Sequence, residues 1–186
     1  MGFLRIVGGE YGGRRLRVPA TTAVRPTSDR VREAIFNALG AFEGASVLDL
    51  FAGSGALGLE SLSRGAVWCT FVEGDRKVVW TLKENIASLG LEQVTEVIVA
   101  KYTAGLSVVE RKGRRYDVVF LDPPYHMTEQ VLERVTPRLE ALVNPGGLVV
   151  VETRKSGGLV PGWESVFART YGDTGVRISR RGDETQ

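Results

Sequence analysis

A carboxylate, two prolines and an aromatic ring follow one apolar segment of this chain, and together they could hold an amino group. The segment Tyr116–Leu121 is typical of a buried strand, and Asp122, Pro123, Pro124 and Tyr125 come directly after it. Each proline fixes φ and removes an N–H donor, so the Pro123 and Pro124 carbonyls are predicted to remain available as acceptors. Open α/β sheets bind ligands at the carboxyl ends of their strands. We therefore expect a site for a planar base that carries an exocyclic amine.

A glycine-rich loop after another strand-like segment predicts a nucleoside site. The run Gly53-Ser54-Gly55-Ala56-Leu57-Gly58 matches the spacing of a dinucleotide-binding loop, and Glu73 follows about 20 residues later. Glycines let a ligand approach the backbone, and the Glu73 carboxylate can accept hydrogen bonds from both hydroxyls of a ribose. The loop alone does not fix which nucleoside binds. The candidate cofactor contacts are Asp49, Phe51, Ala52, Gly53, Ser54, Gly55, Glu73, Gly74 and Asp75.

The order of the predicted elements indicates an α/β fold with a mostly parallel sheet that helices cover on both faces. From residue 45 onward, strand-like and helix-like segments alternate, and the strands are nearly continuously apolar. The tail instead predicts an antiparallel pair at the sheet edge. The seven predicted strands are 46–50, 67–73, 94–100, 116–121, 148–152, 165–170 and 176–179. The predicted helices are 56–63, 75–89, a weaker helix after residue 100, and 129–142.

The N-terminal region predicts a separate extension. We expect residues 1–40 to form a hairpin over 3–18 and a helix that runs to about Leu39, and residues 41–186 to form the main domain. The extension has seven arginines and three acidic residues, whereas the remainder has 17 basic and 19 acidic residues. Arginine grips phosphate in bidentate fashion, but a basic surface can also be merely solvated, and the hairpin can simply cover the sheet. The candidate contacts to a phosphate-bearing partner are Arg14, Arg15, Arg25, Thr27, Arg30 and Arg32.

Composition limits the class of protein. The chain has 186 residues, of which 43% are hydrophobic and 25% charged, as is usual for one globular domain. No apolar run approaches the roughly 20 residues that span a bilayer, and the start lacks the apolar core of a signal peptide, so no membrane partner is expected. The single Cys69 excludes an internal disulfide and predicts a cytoplasmic protein. One histidine and one cysteine do not make a His/Cys zinc site, and no metal is expected.

Several of these motifs resemble one family of enzymes. Asp49–Gly58 with Glu73 resembles motif I and the ribose-binding acid of class I S-adenosylmethionine (SAM) methyltransferases, and Asp122–Tyr125 resembles their amine-methylating motif. More specific blocks are similar to the RsmD family of bacterial 16S rRNA (guanine-N2)-methyltransferases, and the resemblance covers essentially the whole chain. Those blocks are Arg5–Gly9, Gly13–Leu16, Arg25–Asn37, Phe51–Glu60 and Tyr171–Thr174.

The resemblance implies a Rossmann-like fold, SAM as the cofactor, and methylation of the N2 amine of a guanine. The base would be flipped into the pocket. Asp122 and the Pro123 carbonyl would accept the two N–H bonds of the amine and stabilise the charge that develops on it, while Tyr125 would stack on the base. The implied catalytic residues are thus Asp122, Pro123, Pro124 and Tyr125. The implied partner is 16S rRNA, naked or within a partly assembled 30S subunit, and we expect a monomer.

Other interpretations stay open at this level. The tetrapeptide is shared by adenine-N6 and cytosine-N4 methyltransferases, so it does not choose the base. The glycine loop would also suit a nicotinamide-dependent oxidoreductase, and the arginines would suit a non-catalytic RNA-binding module. Lys101 stands where related enzymes usually place a polar or acidic residue near the adenine amine, so adenine recognition is expected to rest on backbone or apolar contacts. His126 is interpreted as a solvated loop residue rather than a general base.

Overall fold

The computed structural model describes residues 2–19, 28–154 and 157–183, and strands and helices alternate through most of them. Among these residues, no helix combines the length and the apolar character needed to cross a membrane. The strands are β1 (Gly2–Arg5), β2 (Arg15–Val18), β3 (Ser46–Asp49), β4 (Trp68–Glu73), β5 (Thr95–Val99), β6 (Tyr116–Leu121), β7 (Val143–Arg154), β8 (Glu164–Tyr171) and β9 (Thr174–Arg180). The helices are α1 (Asp29–Leu39), α2 (Ala56–Ser63), α3 (Arg76–Leu89), α4 (Tyr102–Arg111) and α5 (Thr128–Leu142), with short 3₁₀ turns at Glu92–Val94 and Tyr125–Met127.

A seven-stranded sheet in the order β5-β4-β3-β6-β7-β9-β8 organises the fold. The pairs among the first five of these strands are parallel, whereas β9 is antiparallel to both β7 and β8. This confirms the predicted mostly parallel sheet with an antiparallel pair at its edge. The strand β3 has β4 on one side and β6 on the other. The order of the strands therefore reverses at β3, and such a switch point opens a crevice at the carboxyl ends of the strands.

Apolar side chains bury both faces of the sheet. Phe71 and Phe120 belong to a core cluster that includes buried residues of α1, α2 and α3. Val72 and Val119 belong to a second cluster that includes buried residues of α4 and α5. Each large apolar side chain buried in this way contributes about 1.5–3 kcal/mol. The two faces are thus occupied by packing, and the ends of the strands are left for a ligand.

The N-terminal hairpin of β1 and β2 is antiparallel and packs on the main sheet's helices. Ile6 and Leu16 are buried in the same core cluster as α2 and α3. The fully buried Glu60 of α2 accepts hydrogen bonds from the backbone N–H groups of Val7, at 2.7 Å, and Gly8, at 2.9 Å. The hairpin therefore shares its core and its hydrogen bonds with the domain that it adjoins.

Candidate functional site

A cavity of about 420 Å³ opens at the carboxyl ends of β3, β4, β6 and β7. It brings together the whole predicted tetrapeptide and six of the predicted cofactor contacts. The lining residues are Leu4, Val18, Pro19, Asp49, Phe51, Ala52, Gly53, Ser54, Ala56, Leu57, Glu73, Val78, Asp122, Pro123, Pro124, Tyr125, His126 and Glu152. Two motifs separated by about 70 positions in the sequence thus form one site, as the parallel topology requires.

The glycine loop after β3 is held in a shape that only glycine permits at Gly55. This residue has φ of +86°, and a Cβ atom there would lie 2.5 Å from Cδ1 of Leu82. The nearby Asp49 closes the loop, since its Oδ2 accepts from the N–H of Gly58 at 3.2 Å. Gly55 does not line the cavity. Its contact with a cofactor therefore stays a prediction, while its effect on the shape of the loop follows from its backbone.

Glu73 joins the glycine loop to the end of β4. Its Oε2 accepts from the N–H of Gly53 at 3.0 Å, and its Oε1 accepts from the N–H of Asp75 at 2.8 Å. An ionised carboxylate offers about four acceptor positions, so two further donors can be accommodated on the side that faces the cavity. This capacity fits the two hydroxyls of a ribose.

Asp75 and Gly74 lie just outside the cavity lining. Asp75 caps α3, because its Oδ1 accepts from the N–H of Lys77 at 2.7 Å and of Val78 at 3.4 Å. This confirms the predicted cap of that helix. The direct cofactor contacts predicted for Gly74 and Asp75 stay predictions.

Asp49 is a buried carboxyl group with unused acceptor capacity. It is 1% exposed and lines the cavity, and its Oδ1 has no hydrogen-bond partner among the described residues. The pKa of Asp49 is raised from 3.8 to about 7, chiefly by burial; the hydrogen bond from the N–H of Gly58 opposes the rise, and the nearby Glu73 charge adds to it. An orphaned buried acceptor is costly unless a donor arrives. A cationic ammonium group such as that of an amino-acid moiety would satisfy it.

The cavity is apolar around Phe51, where the adenine of the cofactor is expected. Phe51 lines the cavity, and its ring packs against Tyr102 with the ring centroids 5.2 Å apart. Lys101 is exposed and precedes the first residue of α4. The expectation that a base here would meet apolar surface rather than a side-chain acceptor thus fits Phe51.

Asp122 directly follows β6, the strand that pairs with β3 and so neighbours the glycine loop. It is half-buried and directly follows Leu121 at the end of β6. The prediction of two available proline carbonyls is wrong in one respect, because the Pro124 carbonyl accepts from the N–H of Met127 at 2.8 Å. That bond closes the 3₁₀ turn after the motif. Asp122 and the buried Pro123 are therefore the acceptor pair that we expect to face an amine.

The hydroxyl of Tyr125 is held by one residue of β7 and the first residue of β9. Its oxygen lies 3.1 Å from Oγ1 of Thr174 and 3.4 Å from Oε1 of Glu152. Burial and the charges of Glu152 and Asp122 raise the pKa of this phenol, which is therefore neutral at pH 7. Tyr125 is 37% exposed and lines the cavity, so part of its side chain is accessible to a ligand.

Three residues of this region, Glu152, Thr174 and Asn85, were missed by the sequence interpretation. Asn85 of α3 donates from Nδ2 to the carbonyls of Ser54, at 2.8 Å, and Arg17, at 2.9 Å. The position of Glu152 at the end of a predicted strand was a usable signal, since the same position had identified Glu73. Asn85 had no local signal, because its partners lie 31 and 68 residues away.

The predicted RNA contacts divide into exposed and buried groups. Arg14, Arg15 and Arg30 are exposed. Arg32 is 1% exposed, and its guanidinium bonds the Arg5 carbonyl and the Asp29 carboxylate. The prediction that Arg32 contacts RNA is therefore wrong for this conformation, since its donors hold the hairpin to α1. The other predicted contacts, Arg25 and Thr27, lie outside the described residues.

His126 lines the cavity but is exposed, in agreement with its interpretation as a solvated loop residue.

Within the described residues, no group of three or more His, Cys, Asp or Glu side chains could hold a metal ion. The acids of the site instead face a cavity wall of apolar residues and backbone amides. This arrangement suits a nucleoside in one part of the cavity and an exocyclic amine, held by hydrogen bonds, in the other.

Comparison with known proteins agrees with the geometry. The family model described as "Conserved hypothetical protein 95" matches residues 4–180. The protein "Ribosomal RNA small subunit methyltransferase D" of Escherichia coli strain K12 is 38% identical over 186 residues, which cover 97% of this chain and 91% of that protein. Its namesake in Haemophilus influenzae is 35% identical over 182 residues, covering 95% and 93%. The solved structure of yhhF from Escherichia coli superposes with a TM-score of 0.84 at 34% identity and covers 98% of this chain and 100% of that one.

The fold and the site define a class I SAM-dependent methyltransferase, which confirms the predicted fold class. Within that class, the chain belongs to the ribosomal RNA small subunit methyltransferase D family, as its N-terminal motifs indicated.

Proposed function

We propose that this protein methylates the exocyclic N2 amine of a guanine in small-subunit rRNA, with SAM as the methyl donor. One observation carries the proposal: Glu73 and Asp49, which suit a nucleoside with an amino-acid tail, line the same cavity as Asp122 and Tyr125, which suit an amino-bearing base. The names of the relatives support a ribosomal RNA substrate. These names do not state a base, and the choice of guanine over an adenine-N6 or cytosine-N4 specificity rests on the resemblance of the N-terminal blocks to the family.

The cofactor half of the site would be held by Asp49, Glu73 and the glycine loop. Glu73 has acceptor capacity for the ribose hydroxyls, and the buried Oδ1 of Asp49 would accept from the ammonium group. Phe51 and Val78 provide apolar surface for the adenine. When bound, SAM supplies an activated methyl group whose bond to sulfur breaks as the bond to nitrogen forms. The protein therefore needs no covalent nucleophile of its own.

The base half of the site would hold the amine and exclude other orientations. An exocyclic amine is a weak nucleophile, because its lone pair is delocalised into the ring. Asp122 and the Pro123 carbonyl would accept hydrogen bonds from its N–H groups. These hydrogen bonds would localise the lone pair on nitrogen and stabilise the positive charge that develops there. The exposed part of Tyr125 would stack on the base, and the hydroxyl bonds to Thr174 and Glu152 would fix the ring. Positioning is thus the main contribution of these residues.

The extension would bring the RNA to this cavity. Leu4, Val18 and Pro19 of the extension line the cavity, and the exposed Arg14, Arg15 and Arg30 would contact phosphates. In this view residues 1–40 supply the RNA contacts and residues 41–186 hold the cofactor. We further propose that the enzyme works as a monomer in the cytoplasm, on rRNA that is naked or partly assembled into a 30S subunit.

The proposal is tested by mass spectrometry of nucleosides from small-subunit rRNA that has been incubated with SAM and the purified protein. The expected product is N2-methylguanosine at one position; N6-methyladenosine or N4-methylcytidine instead would contradict the choice of base. Titrations with SAM and with NAD distinguish the methyltransferase from the oxidoreductase hypothesis. Binding of NAD without binding of SAM would overturn a methyltransferase function. A protein that binds rRNA and SAM but yields no methylated nucleoside would favour the non-catalytic hypothesis.

A further inference from the structure

Glu152 is a buried carboxyl group in the base half of the cavity to which the proposed reaction gives no direct task. It is 4% exposed, lines the cavity, and lies near the end of β7. The strands β6 and β7 are parallel neighbours, with Leu121 paired to Val151. The next residues along the two strands are Asp122 and Glu152. Asp122 and Glu152 thus follow paired residues of neighbouring strands, and both line the same cavity.

Holding the ring of Tyr125 does not by itself require this acid. The hydroxyl of Tyr125 lies closer to Oγ1 of Thr174, at 3.1 Å, than to the Glu152 carboxylate, at 3.4 Å. A second carboxylate beside Asp122 is most useful if the ligand carries a second donor beside its amine.

Guanine has that pair of donors on its Watson–Crick edge. Its N1–H group lies directly beside the N2 amine, whereas the ring nitrogen beside the exocyclic amine is an acceptor in both adenine and cytosine. An ionised carboxylate is an acceptor only. It would bond the N1–H group of guanine and repel the ring nitrogen of the other two bases, which combines attraction of one partner with rejection of its competitors.

We propose that Glu152 is the residue that selects guanine, by accepting the N1–H hydrogen bond of the flipped base while Asp122 accepts from the N2 amine. This inference rests on the proposed function and adds to it the group that chooses the base. Reading of a flipped base through its Watson–Crick edge is a general mode of recognition. The tetrapeptide is shared by enzymes that act on three bases, so the selection must come from outside it.

The test compares two substrates with the same 2-amino group. Small-subunit rRNA is rebuilt by ligation with either guanine or 2-aminopurine at the position that mass spectrometry identifies. Because 2-aminopurine has an acceptor at N1, the wild-type enzyme is expected to methylate it about 10- to 100-fold more slowly than guanine. In Glu152→Gln, the new amide can donate to that acceptor. We expect the preference for guanine to fall about tenfold or more, with SAM affinity unchanged.

Matched variants separate selection of the base from support of Tyr125. Tyr125→Phe and Thr174→Val disturb the hydroxyl contacts alone, and both are expected to keep the wild-type ratio of the two rates whatever happens to the rates themselves. Glu152→Asp keeps the charge but shortens the side chain. It should therefore lower the rate of methylation of guanine more than that of 2-aminopurine. If either Glu152 variant slows both substrates equally, the inference is overturned. If the wild-type enzyme methylates neither RNA, the proposed function fails instead.

Discussion

The carboxylate of Glu73 accepts a hydrogen bond from the backbone N–H of Gly53 at 3.0 Å, so the acid at the end of β4 shapes the glycine loop at the end of β3. Its second oxygen accepts from the N–H of Asp75. A residue predicted to bind the ribose thus also builds the surface on which the rest of the cofactor would lie. Loss of this acid should therefore affect cofactor binding in two ways.

We expect Glu73→Ala to weaken SAM binding by about 10- to 100-fold, because hydrogen bonds to a charged group are each worth about 1.5–3 kcal/mol. Isothermal titration calorimetry measures the change. Glu73→Gln keeps the length and one acceptor oxygen, so it should fall between the wild type and the alanine variant. Unchanged SAM affinity in Glu73→Ala would rule out the ribose assignment.

Asp122→Ala should give the opposite pattern. The methylation rate is expected to drop by about 100-fold or more, since loss of one preorganised group that stabilises developing charge typically costs that much. SAM affinity should stay close to that of the wild type, because Asp122 is proposed to contact the base and not the cofactor. Rates on rRNA and calorimetric titration with SAM, measured on both this variant and Glu73→Ala, test the division of roles. A parallel loss of both properties in both variants would contradict it.

The buried Asp49 predicts a pH dependence of stability. Its folded pKa is about 7 and its ordinary value is 3.8, so between these values the folded protein binds one proton more than the unfolded chain. The contribution of Asp49 to the free energy of unfolding should consequently fall as pH rises through this window, by at most about 1 kcal/mol per pH unit, and should level off above pH 7. Urea unfolding at several pH values measures the slope. Asp49→Asn cannot ionise and is the control; if its curve has the same slope as that of the wild type, another group is responsible.

Replacement of Glu60, which does not line the cavity, is expected to lower the stability of the protein strongly. Its two oxygens accept from Val7 and Gly8, and Oε1 also accepts from Nε of Arg64 at 2.8 Å. In Glu60→Ala the two backbone amides lose their acceptors, and each such loss costs about 1–3 kcal/mol. The expected decrease in the free energy of unfolding is about 2–5 kcal/mol, with a smaller decrease in Glu60→Gln. A decrease below about 0.5 kcal/mol, the range of ordinary surface substitutions, would show that the hairpin does not depend on this acid.

The arginines of the extension predict a change in the salt dependence of RNA binding. Neutralising Arg14, Arg15 or Arg30 singly to Gln should flatten the slope of log affinity against log salt by about 0.7–0.9 for each phosphate that the arginine neutralised. Arg111→Gln removes the same charge from the exposed end of α4 and should leave the slope unchanged. If Arg111→Gln flattens the slope as much as the extension variants do, the effect reports net charge rather than a binding surface.

Much of the fold could be predicted, because local rules determine it. The cap at Asp75, the end of α3 before Gly90, and the apolar run of β6 each depend on neighbouring residues, and the structure has all three. The site was predictable where one rule sufficed, namely that polar residues at the ends of parallel strands meet. That rule correctly brought Glu73 and Asp122 to one cavity.

The rest required contacts that no local pattern encodes. Glu60 lies in a helix that is otherwise mostly apolar, and nothing nearby indicates that its partners are amides 52 and 53 residues earlier. Arg32 was assigned to RNA by its type and neighbours, but three-dimensional packing buries it against the hairpin. The Pro124 carbonyl was taken as available, although a turn of three residues uses it. Side-chain polarity thus predicted which residues line the cavity better than it predicted the hydrogen-bond partner of each polar group.

The anchoring of the hairpin by Glu60 has a consequence for how this protein can be divided. A chain shortened to residues 41–186 would keep a carboxylate suited to buried amides but lose the amides, and the apolar surface that covers Ile6 and Leu16 would meet water. Such a fragment should aggregate rather than bind cofactor. The segment that we propose to recognise the substrate is therefore not a detachable module, and it could not be exchanged between relatives without also exchanging the helix surface beneath it.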